Sequence, residues 1–513
     1  MRQKHRTRLE WTLAALSLAL FAYRARLSWN DSVDDVYIYV RYARNLAEHG
    51  QLAFNLGQPV EGFSSPLWVL LLGGLWKLGA VGLAPAKGLS LACAFATLVV
   101  TLRTLHAIGA RWASLWVLAA LSLDCDFARW AVSGMDTSLF ALGCAFVVFL
   151  AATRRFQLLA AAIGVLPWLR PEGLFVGGLL GVLLLVRQET RRVAWLAVLP
   201  VALLFALRFS FFHELLPNTF YAKMTPGGGR VYSGWAYVWS FIKRRPVLVI
   251  LAVVATLQKS QRHALVLRAA IVTSVGVFCF AALAHGDWMA NHRFLVPAVA
   301  CVLIVAATRT THAPLALLLL GAETLLSTTR RLDQSWRGNE ALSDSFATFV
   351  PDPIVRPEPL DWMPSHLIRN LSYYLRPGET VAHVDMGQLP YVMRDVNFID
   401  GFGLVDREVA RLTYAPSSVN VKTVADAFFD ANPTAAILVV DKDTAVPVTL
   451  GQAAFFSDPR FSVLYREQSR VGTWGGNLCI VFVLRSRVAL AKDDALKAER
   501  HWLSAVPEVH SAL

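Results

Sequence analysis

The chain has 513 residues, 55% of them hydrophobic and only 17% charged, with a mean hydropathy of +0.46. That balance excludes a single water-soluble globule and places the chain among polytopic membrane proteins. The formal net charge of +13 does not point to nucleic acid, because Lys and Arg gather in short clusters between apolar runs, where orientation in a membrane accounts for them. The six cysteines form no CxxC pair, and Cys93, Cys144, Cys279 and Cys301 lie inside apolar runs as small hydrophobes, which argues against a disulfide framework or a zinc site.

The N-terminal segment MRQKHRTRLEWTLAALSLALFAY reads as a retained first helix, since no small-residue cleavage site follows its apolar core before Arg24 and Arg26. Next comes SVDDVYIYVRYARNLAEHG, residues 32–50, in which Asp34 and Asp35 stand together. Neighbouring carboxylates repel, so one of them has a raised pKa unless a cation or a metal offsets the repulsion. Such a group at a water-poor surface suits a general base acting on a hydroxyl. The competing role is capping: Ser32 at the N-cap would put both acids in the first turn of a helix, where the dipole favours anions. The two roles are compatible. Arg41 and Arg44 follow among aromatic residues, which predicts a helix lying along the membrane with its cations toward headgroups or a phosphate.

Apolar runs near 11–27, 87–108, 112–125, 137–153, 156–169, 172–186, 193–212, 246–258, 266–284, 294–308 and 312–328 predict about 11 transmembrane helices. Arg2, Lys4, Arg6 and Arg8 hold the N-terminus inside. Arg103 with Arg111, Arg154 with Arg155, Arg187 with Arg191 and Arg192, Lys259 with Arg262, and Arg309 then fall on the same side. This alternation requires the run 66–84, PLWVLLLGGLWKLGAVGLA, to lie at the outer interface as a juxtamembrane helix. Read as a true span, it needs a compensating change elsewhere.

The outer loops hold the polar clusters: FNLGQPVEGFSSP, DCDFARWAVSGMDTS with Asp136, LRPEG with Arg170 and Glu172, HELLPNTFYAKMTPGGG with Asn218, Tyr221 and Lys223, and HGDWMANHRF with His285, Asp287, His292 and Arg293. Their gathering at one rim suits chemistry on a lipid-linked substrate at the membrane surface, whereas transport sites lie near the midplane. Arg170 and Glu172 read either as a structural pair or with Arg170 on a phosphate. The cations of these loops are suited to neutralising a phosphate or diphosphate leaving group.

From about residue 330 the composition turns polar. TVAHVDMGQLPYVM, VNFIDGFG, AAILVVDKD and NLCIVFVLR read as short buried strands, with helical patterns in PSHLIRNLSYYL and VKTVADAFFDAN. The chain therefore divides into a transmembrane domain over 1–329 and a soluble α/β domain over 330–513, which the span count puts outside. No Walker loop or dinucleotide fingerprint follows any of these strands.

Taken in order, DDVYIYVRYARNLAEHGQLAFNLGQPVEGFSSPLW, WAVSGMDTSLF, LRPEGL, LLPNTFYAK, GDWMANHRFLVP and VDMGQLPYV with IDGFGLVD resemble the blocks of GT-C glycosyltransferases of the terminal arabinofuranosyltransferase type. The resemblance implies an α-helical polytopic enzyme of the bacterial inner membrane with its active site and C-terminal domain on the extracytoplasmic side. It implies an inverting transfer of a sugar, such as arabinofuranose, from a polyprenyl-phosphate donor to a glycan, protein or lipid acceptor. The catalytic expectation is Asp34 and Asp35. The donor-phosphate or substrate-binding expectation is Arg41, Asp136, Arg170, Glu172, Asn218, Tyr221, Lys223, His285, Asp287 and Arg293. A divalent metal is compatible with the acidic pair but not required by it. The chain departs from the family at SGMDT, where SGMET is expected, so the shorter reach of Asp136 leaves its role open. The alternative activity is a transporter or flippase of a lipid-linked sugar, which calls for polar residues deep in the spans or an internal repeat.

Overall fold

The computed structural model describes residues 2–29, 33–223, 234–257, 264–287, 289, 291–308, 322–323, 367–368, 370–413, 420–441, 444–472 and 477–488, the side chains of 2–9, 471, 472 and 477 aside. The Ser32 cap, the span at 312–328, the charges Lys259, Arg262 and Arg309, and the boundary at residue 329 lie outside the described residues. In chain order the helices of the membrane part are α1 (Arg2–Leu27), α2 (Asp35–His49), α3 (Pro66–Lys77), α4 (Leu83–Ala107), α5 (Arg111–Leu123), α6 (Cys125–Ala131), α7 (Thr137–Ala152) and α8 (Phe156–Leu169). They continue with α9 (Glu172–Leu185), α10 (Val198–Phe212), α11 (Asn218–Lys223), α12 (Gly234–Arg244), α13 (Pro246–Leu257), α14 (Ala264–Leu283) and α15 (Val296–Ala307).

Three segments are long and apolar enough to cross a membrane: Leu83–Ala107, Ala194–Phe212 and Ala264–Leu283. Shorter apolar helices stand at the predicted runs 112–125, 137–153, 156–169, 172–186, 246–258 and 294–308, whereas the run 11–27 lies in the 26-residue α1, which is not among the apolar helices of either kind. At 1.5 Å per residue, a 12-residue helix such as α13 rises about 18 Å against a hydrocarbon core of roughly 30 Å. Close backbone approach packs them, as at α9 on α8: a Cβ on Gly173 would stand 2.1 Å from the Leu166 carbonyl oxygen, and one on Gly177 3.1 Å from that of Ile163.

The run 66–84 is not one helix. Ser65 caps α3 by accepting the Trp68 N–H at 3.3 Å, and Pro66 supplies the preset first turn. After 12 residues α3 stops, and Gly79 and Gly82 turn the chain at positive φ (85° and 86°), so that α4 begins at Leu83. With 12 residues α3 is as long as α13 and α15, so its length alone does not separate an interfacial helix from a span.

The C-terminal part consists of β1 (Thr380–His383), α16 (Gln388–Val392), β2 (Asn397–Asp400), α17 (Arg407–Thr413), α18 (Val421–Asp430), β3 (Ala435–Asp441), α19 (Leu450–Ser457), α20 (Pro459–Leu464), β4 (Tyr465–Gly472) and β5 (Asn477–Leu484). TVAHVDMGQLPYVM, expected as one strand, is a strand only to His383; Pro390, with no N–H for a ladder, lies in α16. The sheet runs β2-β1-β3-β5-β4, with β1 parallel to β2 and β3, and β5 antiparallel to β3 and β4. Alternation sorts its two faces. Ala382, Ile399 and Ala436 pack with Phe428, Phe455 and Phe461 of the flanking helices. Val381, Ile437, Val481 and Val483 belong instead to the hydrophobic cluster that continues through Tyr391 and Tyr37 into the transmembrane helices. From β1 the chain steps to β2 on one side and later to β3 on the other, so a crevice opens at the carboxyl end of β1.

Candidate active site

Hydrogen bonds and ion pairs draw the polar loops together at one end of the helix bundle. Asp34 holds the N-cap position of α2 (φ −54°, ψ −42°), yet its side chain makes no cap bond. It turns to the C-terminal domain, where the Gln388 N–H donates to Oδ1 at 2.9 Å. Burial, then the Asp385 charge, push its carboxyl up to about 7; Asp35 adds to the rise and the Gln388 N–H opposes it. Asp35 faces cations: Nη1 of Arg293 is 3.9 Å from its Oδ2, and the Lys223 charge also acts on it. Burial outweighs both and still raises the Asp35 carboxyl above its ordinary range.

Behind Asp35, Arg293 pairs with Asp287 (Nε to Oδ2, 2.6 Å) and lies 5.3 Å from the Phe294 ring centroid. Arg170 is more deeply enclosed, with Nη1 2.6 Å from Asp136 Oδ1 and Nη2 2.7 Å from Glu172 Oε1. The Tyr39 hydroxyl donates to the other Asp136 oxygen at 3.0 Å, so the shorter acid of SGMDT reaches both partners. Arg170 thus pairs with two buried carboxylates, an arrangement that accords with the structural pair among the two roles read from the sequence. Lys223 makes no hydrogen bond or ion pair among the described residues. The protein around its ammonium, then the Arg293 charge, hold it below the ordinary lysine range, although the residue as a whole is exposed. A cation with no fixed partner beside Arg293 is well placed to receive an anion.

Arg41 and Arg44, expected at headgroups or a phosphate, face neither. Arg41 is 2% exposed, and its guanidinium donates to the carbonyls of Phe54 (2.9 Å), Val396 (2.9 Å) and Pro390. Arg44 turns toward the Tyr391 carbonyl at 3.5 Å. The reason is that the C-terminal domain covers α2, with Tyr391 against Tyr37 at 5.2 Å between ring centroids, so these cations meet backbone carbonyls. Asn218 also serves the interface, donating to the carbonyls of Gly403 (2.7 Å) and Leu404 (3.0 Å), and Tyr221 lies under the Arg411 guanidinium at 3.1 Å. His285 stands apart, exposed, in a left-handed turn (φ 60°) after α14.

Sequence reasoning missed two buried clusters. Glu61 accepts from Arg208 Nε with both oxygens, at 3.0 and 2.9 Å, and burial pushes its carboxyl up to about 7. An arginine inside the apolar run 193–212 was the available signal, because a charge there needs a partner. Arg245 joins Asp124 (2.8 Å) and Asp126 (2.7 Å), while His292 meets Ser240 at 2.8 Å. Here the signal was Asp124 ahead of FARW, where it caps α6 by accepting the Phe127 N–H at 2.8 Å.

Residues 361–490 match the family model of a domain of unknown function (DUF8728). No curated protein matches the sequence. In structure the chain is similar to ArnT from Cupriavidus metallidurans bound to undecaprenyl phosphate, at 14% identity and a TM-score of 0.49 over 92% of this chain and 97% of that one. The apo state of ArnT gives 15% identity and a TM-score of 0.49 over 93% and 98%. The arabinofuranosyltransferase AftD from Mycobacteria gives 13% identity and a TM-score of 0.47, with 93% of this chain covering 40% of that one.

Proposed function

We propose that the chain is an inverting membrane glycosyltransferase of the GT-C type that takes a sugar from a polyprenyl-phosphate donor, with Asp34 as the general base. The observation that carries this reading is the pairing of Asp34, whose carboxyl stands at about 7, with an Asp35 that faces Arg293 and Lys223. Proton acceptor and anion-binding cations lie on the two sides of one residue pair. Asp34 takes the proton of an acceptor hydroxyl as its oxygen bonds to the anomeric carbon. The bond from that carbon to the phosphate oxygen breaks, and the electron pair leaves with the lipid phosphate, whose charge Lys223 and Arg293 neutralise. Arabinofuranose is the sugar favoured by the loop blocks, and the acceptor is a glycan, a protein or a lipid. Comparing extracytoplasmic glycans of cells with and without the gene tests this: loss of one glycosidic linkage names sugar and acceptor. An unchanged linkage profile, with the lipid-linked sugar stranded on the inner leaflet, would support a flippase instead.

Replacing Lys223 by glutamine removes one charge-assisted bond to the donor phosphate, worth about 1.5–3 kcal/mol, so the donor KM is expected to rise roughly 10- to 100-fold. Steady-state kinetics at saturating acceptor measure it, and an unchanged donor KM would remove Lys223 from the phosphate site.

The distribution of Lys and Arg over the eleven apolar runs of the sequence supports an extracytoplasmic site and C-terminal domain in the bacterial inner membrane. In a cysteine-free background, a cysteine at exposed His49, the last residue of α2, is expected to react with a membrane-impermeant thiol reagent in intact cells. One at exposed Arg103 or Arg155 is expected to resist. The reverse pattern would overturn this orientation.

A further inference from the structure

We infer that the loop Asp385–Gln388 of the C-terminal domain belongs to the active site, where Gly387 and Gln388 act as positioning residues for the Asp34 carboxylate. The inference rests on the proposed role of Asp34 as base, and it makes the soluble domain a part of the catalytic apparatus in addition to any hold on the acceptor.

The loop leaves the carboxyl end of β1 at the crevice where the sheet order reverses, the place where open α/β sheets present functional groups. There the Gln388 N–H takes Oδ1 of Asp34 at 2.9 Å. A Cβ on Gly387 would stand 2.0 Å from Oδ2 and 2.1 Å from Cγ of Asp34, so the carboxylate lies against a backbone that only glycine leaves open. The backbone N–H groups of Gly387 and Gln388 both act on this carboxylate, which fixes it against the loop. The loop is clamped from the helix that Asp35 begins: Arg41 donates to the Pro390 and Val396 carbonyls, and Tyr37 packs at a tilt against Tyr391. Acid pair and clamp thus share one rigid element, which is how a base is held to the tolerance that proton transfer needs. The charges acting on Asp34 are the exposed Asp385 and the adjacent Asp35. Behind Asp35 stand Arg293, Lys223, Asp287 and Asp136.

The test uses the purified full-length chain and transfer from a polyprenyl-phosphate sugar. Gly387→Ala forces the Asp34 carboxylate away by more than an ångström, so kcat is expected to fall about 100-fold with the donor KM nearly unchanged. Asp385→Asn removes a negative charge beside Asp34, which makes the base easier to deprotonate, so the acid limb of the kcat profile is expected to move to lower pH. Asp385→Glu is expected to return the limb to its wild-type position, which a merely structural role would not do. An unmoved limb in Asp385→Asn, with Gly387→Ala close to wild-type turnover, would overturn the inference. If Gly387→Ala does not fold, the limb in Asp385→Asn decides alone. Asp34→Asn is the control that separates the two readings: if it is inactive while the loop variants behave as wild type, the base assignment stands and the loop's role falls. If it is fully active, the base assignment itself falls.

Discussion

Asp34→Asn is expected to lower turnover by about 10²–10⁴-fold, the range for loss of a general base. The amide keeps the size of the side chain and its oxygen still accepts the Gln388 N–H, which sits 2.9 Å from Oδ1 in the wild type, so geometry is preserved while the proton acceptor is lost. Donor binding is expected to survive, because the cations that receive the phosphate lie beyond Asp35. The wild-type rate carries a matching signature. With the carboxyl raised to about 7, Asp34 is mostly protonated below that pH and cannot act as base, so kcat climbs as the pH passes through about 7 and levels off above it. Asp35→Asn separates the pair: a loss as large as that of Asp34→Asn makes Asp35 a second essential acid, whereas a small loss confines it to orienting Arg293. Transfer by purified variants, normalised to folded protein, measures all of this. Full activity in the double asparagine variant would remove the pair from catalysis and promote transport of a lipid-linked sugar in its place.

Arg170→Leu is expected to destabilise the fold by about 3–5 kcal/mol, because it strands two buried carboxylates with no counter-charge. The side chains concerned are 4% (Arg170), 0% (Asp136) and 3% (Glu172) exposed, so water cannot replace the lost partner. Unfolding of the detergent-solubilised protein reads the effect as a lowered midpoint. Combining Arg170→Leu with Asp136→Asn and Glu172→Gln removes the stranded charges and is expected to recover much of the loss, since exchanging a whole buried ion group for neutral residues is often tolerated. A single variant as stable as the wild type but unable to bind donor would make Arg170 a phosphate ligand instead.

The membrane helices were legible in the sequence because apolar runs are local: burying some 12 to 25 consecutive residues is a property of the segment, whatever its neighbours do. The same holds for the acidic pair and for the ordered polar loops, whose residue types speak before they are folded. The turn at Gly79 and Gly82 was half visible, as glycines in an apolar run, but that α3 ends there follows from a backbone geometry that hydropathy does not report.

What only the tertiary structure decided is where each charge finds its partner. A cation among aromatic residues reads the same whether it will meet a headgroup or a carbonyl. Arg41 meets the Pro390 carbonyl 349 positions away, and Asp34 meets Gln388 at a separation of 354. The proton affinity of Asp34 is likewise set by its burial against the C-terminal domain and by the charge of Asp385, because electrostatic energy depends on distance and on the exclusion of water, neither of which is written in the order of the residues.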